Sequence, residues 1–172
     1  MDNLRIAEGL DLVGKMLVEA LTKELIGQNH KASGKLIQSV EHVVLTTSSG
    51  WNIEVDYANY GSYLETGISA SRYKKGVGRA EVNGIIQWIK NKGLSKGIKE
   101  DKSFAFAIAK KHRASGYPAK GYSNNGRSTG FQTYVLQQED DNIRNEINRI
   151  VSEGFQIQIE QYVFAFNQNR KL

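Results

Sequence analysis

The segment Trp51-Asn52-Ile53-Glu54-Val55-Asp56-Tyr57 alternates apolar with polar residues, and Val43-Val44-Leu45-Thr46-Thr47 before it is rich in β-branched side chains. Between them, Ser48-Ser49-Gly50 supplies the small, turn-forming residues of a hairpin connection. A period of two puts Trp51, Ile53, Val55 and Tyr57 on one face, and that face has to be covered. A two-stranded ribbon cannot cover itself, so the rest of the chain must supply the second layer. Most of that remainder has a helical period. The predicted class is therefore α+β: a small antiparallel sheet built on a β-hairpin over about residues 42–57 and packed by several helices.

Ile6, Leu10, Val13, Leu17, Leu21 and Leu25 recur at steps of three and four, which predicts a long N-terminal helix over 1–27, stopped by Gly27. Gln28-Asn29-His30-Lys31 reads as a linker, and Ser33-Gly34 opens a short helical turn through Leu36 and Ile37. After the hairpin, Tyr60, Tyr63 and Leu64 have helical spacing and end at Gly67, a residue free to take positive φ. A Gly-, Ser- and Lys-rich loop follows from Ile68 to Arg79. Val82, Ile85, Ile86 and Ile89, with Trp88, stripe a helix closed by Lys90, Lys92 and Gly93. Asp101 is then placed to cap a helix striped by Phe104, Ala105, Ile108 and Ala109, with Lys110, Lys111, His112 and Arg113 at its cationic end. The stretch from Ser115 to Gly130 holds the one proline, Pro118, and reads as a long loop. Asp140 to Val151 is helical, through Ile143, Ile147 and Ile150. Beyond Gly154, Phe155, Ile157 and Ile159 alternate as in a strand, while Phe155, Ile159, Tyr162, Val163 and Phe166 suit a helix; the glycine favours the strand. The organisation expected is a helix over 1–27, a core domain over 32–153 and a C-terminal strand or arm over 154–172.

Catalysis finds little to work with. The chain has no cysteine, which removes disulfides, thiolate metal sites and a thiol nucleophile together. His30, His42 and His112 stand far apart, without metal-ligand spacing. Glu139, Asp140 and Asp141 suit helix capping better than metal binding. Gly76-Val77-Gly78 precedes a helix but lacks the third glycine and the preceding strand of a nucleotide loop. No enzyme activity, cofactor or metal is expected. No apolar run approaches 18 residues, and Met1-Asp2-Asn3-Leu4-Arg5 lacks signal-peptide character, so the expectation is a protein made in a cytoplasm without a membrane partner.

Charge is the informative quantity. From Arg72 to Arg127 there are 14 basic and 3 acidic residues, a net of +11, whereas the remaining residues carry 9 basic and 15 acidic, a net of −6. Such asymmetry suits a polyanion, or like subunits docking acid to base. Arg72, Lys74, Lys75 and Arg79 share a glycine-containing loop, a pattern for phosphate contact without base reading.

Four motifs occur in order. They are Ala32-Ser33-Gly34-Lys35-Leu36-Ile37-Gln38-Ser39-Val40 before the hairpin, Asp56-Tyr57-Ala58-Asn59-Tyr60 with Tyr63-Leu64-Glu65-Thr66-Gly67 after it, Ile85-Ile86-Gln87-Trp88-Ile89-Lys90-Asn91-Lys92-Gly93, and Phe104 to Lys111 ending at Gly116. Over about Ala32 to Val151 the set resembles the neck, head-to-tail joining and tail-completion proteins of tailed bacteriophages. It departs from them where Gly67 runs into Ile68-Ser69-Ala70-Ser71-Arg72-Tyr73 without the family's proline-rich element. The resemblance implies a non-enzymatic structural protein of the virion. Such a protein forms a ring of six or twelve copies and meets the portal, other neck or tail proteins and, non-specifically, genomic DNA. It makes Arg72, Lys74, Lys75 and Arg79 candidates for DNA-channel or portal contact. Tyr60, Tyr63, Glu65, Lys110, Lys111 and Arg113 become candidates for the subunit interface. The competing expectation is a monomeric nucleic-acid-binding accessory protein that uses the cationic segment directly.

Overall fold

The computed structural model describes residues 3–48, 50–73, 76–117 and 129–169, with backbone alone for residues 3, 4 and 154–169. The chain is mostly helical, with one two-stranded antiparallel sheet and a long N-terminal helix. In order come α1 (Asn3–Gly27), α2 (Lys35–Gln38), β1 (Glu41–Thr47), β2 (Gly50–Asp56), α3 (Gly61–Thr66), a 3-10 turn (Ala70–Arg72), α4 (Arg79–Asn91), α5 (Ile98–Ser115) and α6 (Phe131–Asn169). Two compact units result, one of 1–20, 41–56 and 135–172, the other of 21–40 and 57–134.

In the first unit β1 and β2 pair from Glu41 opposite Asp56 to Thr47 opposite Gly50. Burial alternates along β2 and along β1 as far as Leu45: Trp51, Ile53 and Val55 turn inward with His42 and Val44, while Glu54, Asp56, Val43 and Leu45 face out. The early part of α1 meets this hairpin at a glycine. A Cβ built at Gly14 would lie 2.1 Å from His42 Cδ2, so only a hydrogen lets the imidazole rest on the helix. His42 Nε2 is 2.8 Å from Asp11 Oδ1 on the same helix. One and a half turns earlier, Gly9 admits Ile150 of α6 in the same way. Ile6, Val13, Val135 and Ile150 are buried in this unit.

In the second unit α4 packs against α5 around Ile89, Ala105 and Ala109, all fully buried. The two alanines let the helices approach closely, and the buried stripe of α5 is Asp101, Ala105 and Ala109. Phe104, expected in that stripe, sits about 100° round the helix from Ala105 and is exposed. Asp101 is not the N-cap: the helix starts at Ile98, after Gly97. The carboxylate instead reaches back to accept hydrogen bonds from Ser95 Oγ (2.5 Å) and the Lys96 amide (3.0 Å), which hold it below the usual carboxylate range.

Two further expectations are corrected. The segment after Gly27 is a packed helix stop rather than a linker. Asn29 takes the left-handed φ of 59°, Gln28 is buried, and Lys92 Nζ donates to Asn29 O and Oδ1 at 2.6 and 2.7 Å. The helix from Asp140 begins earlier, at Phe131, and runs through Gly154 to Asn169, so no strand forms from Phe155 onward. A single interior glycine costs a helix only about 1 kcal/mol, too little to stop one whose other residues keep helical spacing.

Candidate nucleic-acid and subunit interface

The described parts of the cationic loop are held at Ile68, over Ala70–Tyr73 and at Gly76. Ile68 and Tyr117 exchange backbone hydrogen bonds of 2.8 and 2.7 Å in an isolated antiparallel bridge. Gly116 makes this possible: its φ is +79°, and a Cβ there would stand 2.5 Å from the Ile68 carbonyl oxygen. The turn Ala70–Arg72 lies on α5. Tyr73 then stacks toward His112 at 6.1 Å between centroids, and His112 meets Tyr117 edge-on at 5.4 Å. The Arg113 guanidinium lies 5.6 Å from the Tyr73 ring, donates from Nε to Gly76 O at 3.1 Å, and binds both Glu81 oxygens with its two terminal nitrogens.

This arrangement reassigns two basic residues. Burial pushes the His112 imidazole below its ordinary value, which favours the neutral ring between two tyrosines over the cation expected at the end of α5. The Glu81 carboxylate raises Arg113 further, and the side chain is committed inward as the clamp of the loop. Burial also raises the phenols of Tyr73 and Tyr117.

Of the DNA-channel or portal candidates, Arg72 and Arg79 are exposed at the edges of the anchored loop, while Lys74 and Lys75 lie outside the described residues. Of the interface candidates, Tyr60 and Tyr63 are each 47% exposed, an unusual display for two neighbouring tyrosines on one short helix and its entry. Lys110 and Lys111 are exposed, and Lys110 Nζ sits 5.1 Å over the Phe106 ring.

Glu65 serves the fold. Its carboxylate accepts from the amides of Gln132 (2.8 Å) and Thr133 (3.2 Å) and from Thr133 Oγ1, while its carbonyl accepts from the Gly130 amide at 2.9 Å. An acid from α3 thus caps the first turn of α6, where unpaired N–H groups and the helix dipole favour negative charge. Other motif residues gather at the same point. Tyr57 packs edge-on against Phe131 at 5.3 Å and its hydroxyl donates to Gln132 Oε1. Gly61 gives the Tyr57 ring room, and Ser39 Oγ accepts from the Ala58 amide while donating to Leu36 O. Residues of the first two motifs, in this chain, tie the segments around the start of α6.

Lys110, an interface candidate from the sequence, belongs to a larger exposed set on α5. Lys99, Lys102, Phe106 and Lys110 follow one another at steps of three and four, a spacing that puts them on one side of α5. Among the described residues, no three His, Cys, Asp or Glu side chains gather so as to hold a metal ion, and no helix is long and apolar enough to cross a membrane. No protein-family model, curated protein or solved structure matches the chain.

Proposed function

We propose that this chain is a structural virion protein of a tailed bacteriophage, one copy of a ring in the neck between portal and tail, acting by assembly and electrostatics rather than by catalysis. The observation that carries the reading is the combination of a clamped cationic loop with large apolar side chains left exposed. Arg72 and Arg79 are presented on a loop braced by Ile68, Tyr73, Tyr117 and Arg113, while Val43, Leu45, Tyr60, Tyr63 and Phe106 remain open to solvent. The neighbouring exposed pairs Val43 with Leu45 and Tyr60 with Tyr63 suit contact with other subunits. A braced cationic loop, repeated around an axis, would line a passage with positive potential and hold DNA through phosphates without reading bases. The order of the four motifs adds the resemblance from which this reading starts.

Imaging of intact particles tests it directly: density for this chain in a symmetric collar is the expected result, and its placement elsewhere overturns the reading. Reversal of Arg72, Lys74, Lys75 and Arg79 to Glu should leave a folded chain and impair particle completion or DNA retention. Fully infectious particles would remove the loop's role. The +11 segment also supports a second reading, a monomeric nucleic-acid-binding protein. Tight DNA binding by a lone copy, with a steep loss on raising salt, would favour it instead.

A further inference from the structure

A ring of identical copies needs two different surfaces that fit each other, and each unit exposes one half of such a pair. On the outer face of the hairpin, Glu41 stands directly opposite Asp56 and Val43 directly opposite Glu54, with Leu45 in the next row. Val43 and Leu45 are 43% and 37% exposed. Like charges opposite one another weaken a sheet that stands alone, and none of the ion pairs among the described residues involves Glu41, Glu54 or Asp56. The opposite polarity appears on α5. Lys99, Lys102, Phe106 and Lys110 are all exposed, on a face centred about 100° round the helix from buried Asp101, Ala105 and Ala109. No ion pair among the described residues involves these lysines either.

We propose that this face of α5 docks on the outer sheet face of a second copy of the chain, forming the repeated contact of the assembly. The proposal rests on the ring reading above and supplies its interface. The two patterns are similar in length: Lys99 to Lys110 spans about 16 Å of helix, and Glu41 to Leu45 about 14 Å of strand. From Lys99 to Phe106 they also have the same order. Lys99 and Lys102 meet the end that carries Glu41, Asp56 and Glu54, and Phe106 then covers Val43 and Leu45. The step from Lys102 to Phe106 is about 6 Å along the helix, and the step from the Val43 row to the Leu45 row is about 7 Å. Nucleic acid would satisfy the lysines but leave the acidic, apolar sheet face without an occupant; a second copy satisfies both. Because the two patches differ, the contact is heterologous and propagates head to tail, closing into a ring when the rotation between copies allows.

The test uses full-length chain and two charge-reversed variants, Glu41→Lys with Glu54→Lys and Asp56→Lys, and Lys99→Glu with Lys102→Glu and Lys110→Glu. Self-association is read by sedimentation at low salt, with circular dichroism confirming that each variant keeps its helical content. Each variant alone should associate about a hundredfold more weakly than the parent, since like charges then face each other across the contact. An equimolar mixture should recover assembly, because each reversed face then finds an opposite partner in the other variant. The contact is overturned if the parent stays monomeric, if either variant alone assembles like the parent, or if the mixture fails to recover. A loss confined to DNA binding by the lysine variant overturns it in favour of a nucleic-acid face. Failure here with the chain still imaged in a collar sinks this contact and not the neck reading; recovery in the mixture with the chain absent from any collar does the reverse.

Discussion

A methyl group added at Gly14 tests how the first unit is held together. The substitution Gly14→Ala puts a Cβ 2.1 Å from His42 Cδ2, 2.7 Å from Cγ and 2.8 Å from Nε2, where carbon atoms ordinarily stand 3.5–4.0 Å apart. The imidazole has to retreat by more than 1 Å, which also removes Nε2 from its 2.8 Å contact with Asp11. Overpacking of this kind costs about 1–3 kcal/mol, and three ring atoms inside 3 Å put it near the upper end. Against this, alanine favours helix over glycine by about 1 kcal/mol, leaving a net loss of about 2 kcal/mol. Gly84→Ala is the control. It lies inside α4 with nothing within 4 Å of the added carbon, so the same substitution there should stabilise by about 1 kcal/mol. Urea unfolding followed by circular dichroism reads both as shifts of midpoint at unchanged slope. A double-mutant cycle with His42→Ala should recover most of the Gly14→Ala loss. The reasoning fails if Gly14→Ala is neutral or stabilising, or if its full penalty survives without the imidazole.

Two other outcomes follow from local chemistry. Glu65→Ala should lower stability by about 1–2 kcal/mol, because two amides at the start of α6 lose their acceptor, and Glu65→Gln should recover part of it; equal stability of all three in urea unfolding would refute the capping role. His112 has a folded-state pKa depressed by burial, so the unfolded chain binds the extra proton and stability falls as pH drops below about 6.5 and through the lower folded value. The parent should lose urea midpoint between pH 7.5 and 5.5 more steeply than His112→Phe, and identical pH slopes would show that the imidazole is not buried neutral.

Much of the architecture was legible because period is a local property. The hairpin is read from alternation at Trp51, Ile53 and Val55, which do turn inward, and α1 from its leucine stripe, of which Leu21 and Leu25 are buried. What failed was reading a chemical role from position alone. His112 follows two lysines at a helix end and looks like a cation, yet it packs beside the rings of Tyr73 and Tyr117 and its burial disfavours the charged form. Asp101 looks like a cap for the helix it lies in, and instead fastens the turn before it. Gly154 looks like a stop, but one glycine is a small term in a 39-residue helix. The candidate site divides in the same way: exposed Arg72 and Arg79 stay available, whereas Arg113 and Glu65 have partners 32 and more than 60 residues away.

The residue pattern by itself determined the class of the fold, the hairpin face that is covered, the excess of cations in the middle of the chain and the lack of a thiol. These depend on side-chain type and spacing along a few turns or strand residues. Only the tertiary structure decided which charges remain exposed, and that Gly14 and Gly116 are sites of close approach. Those facts depend on distances between segments far apart in the chain, and such distances are set by how the whole chain packs.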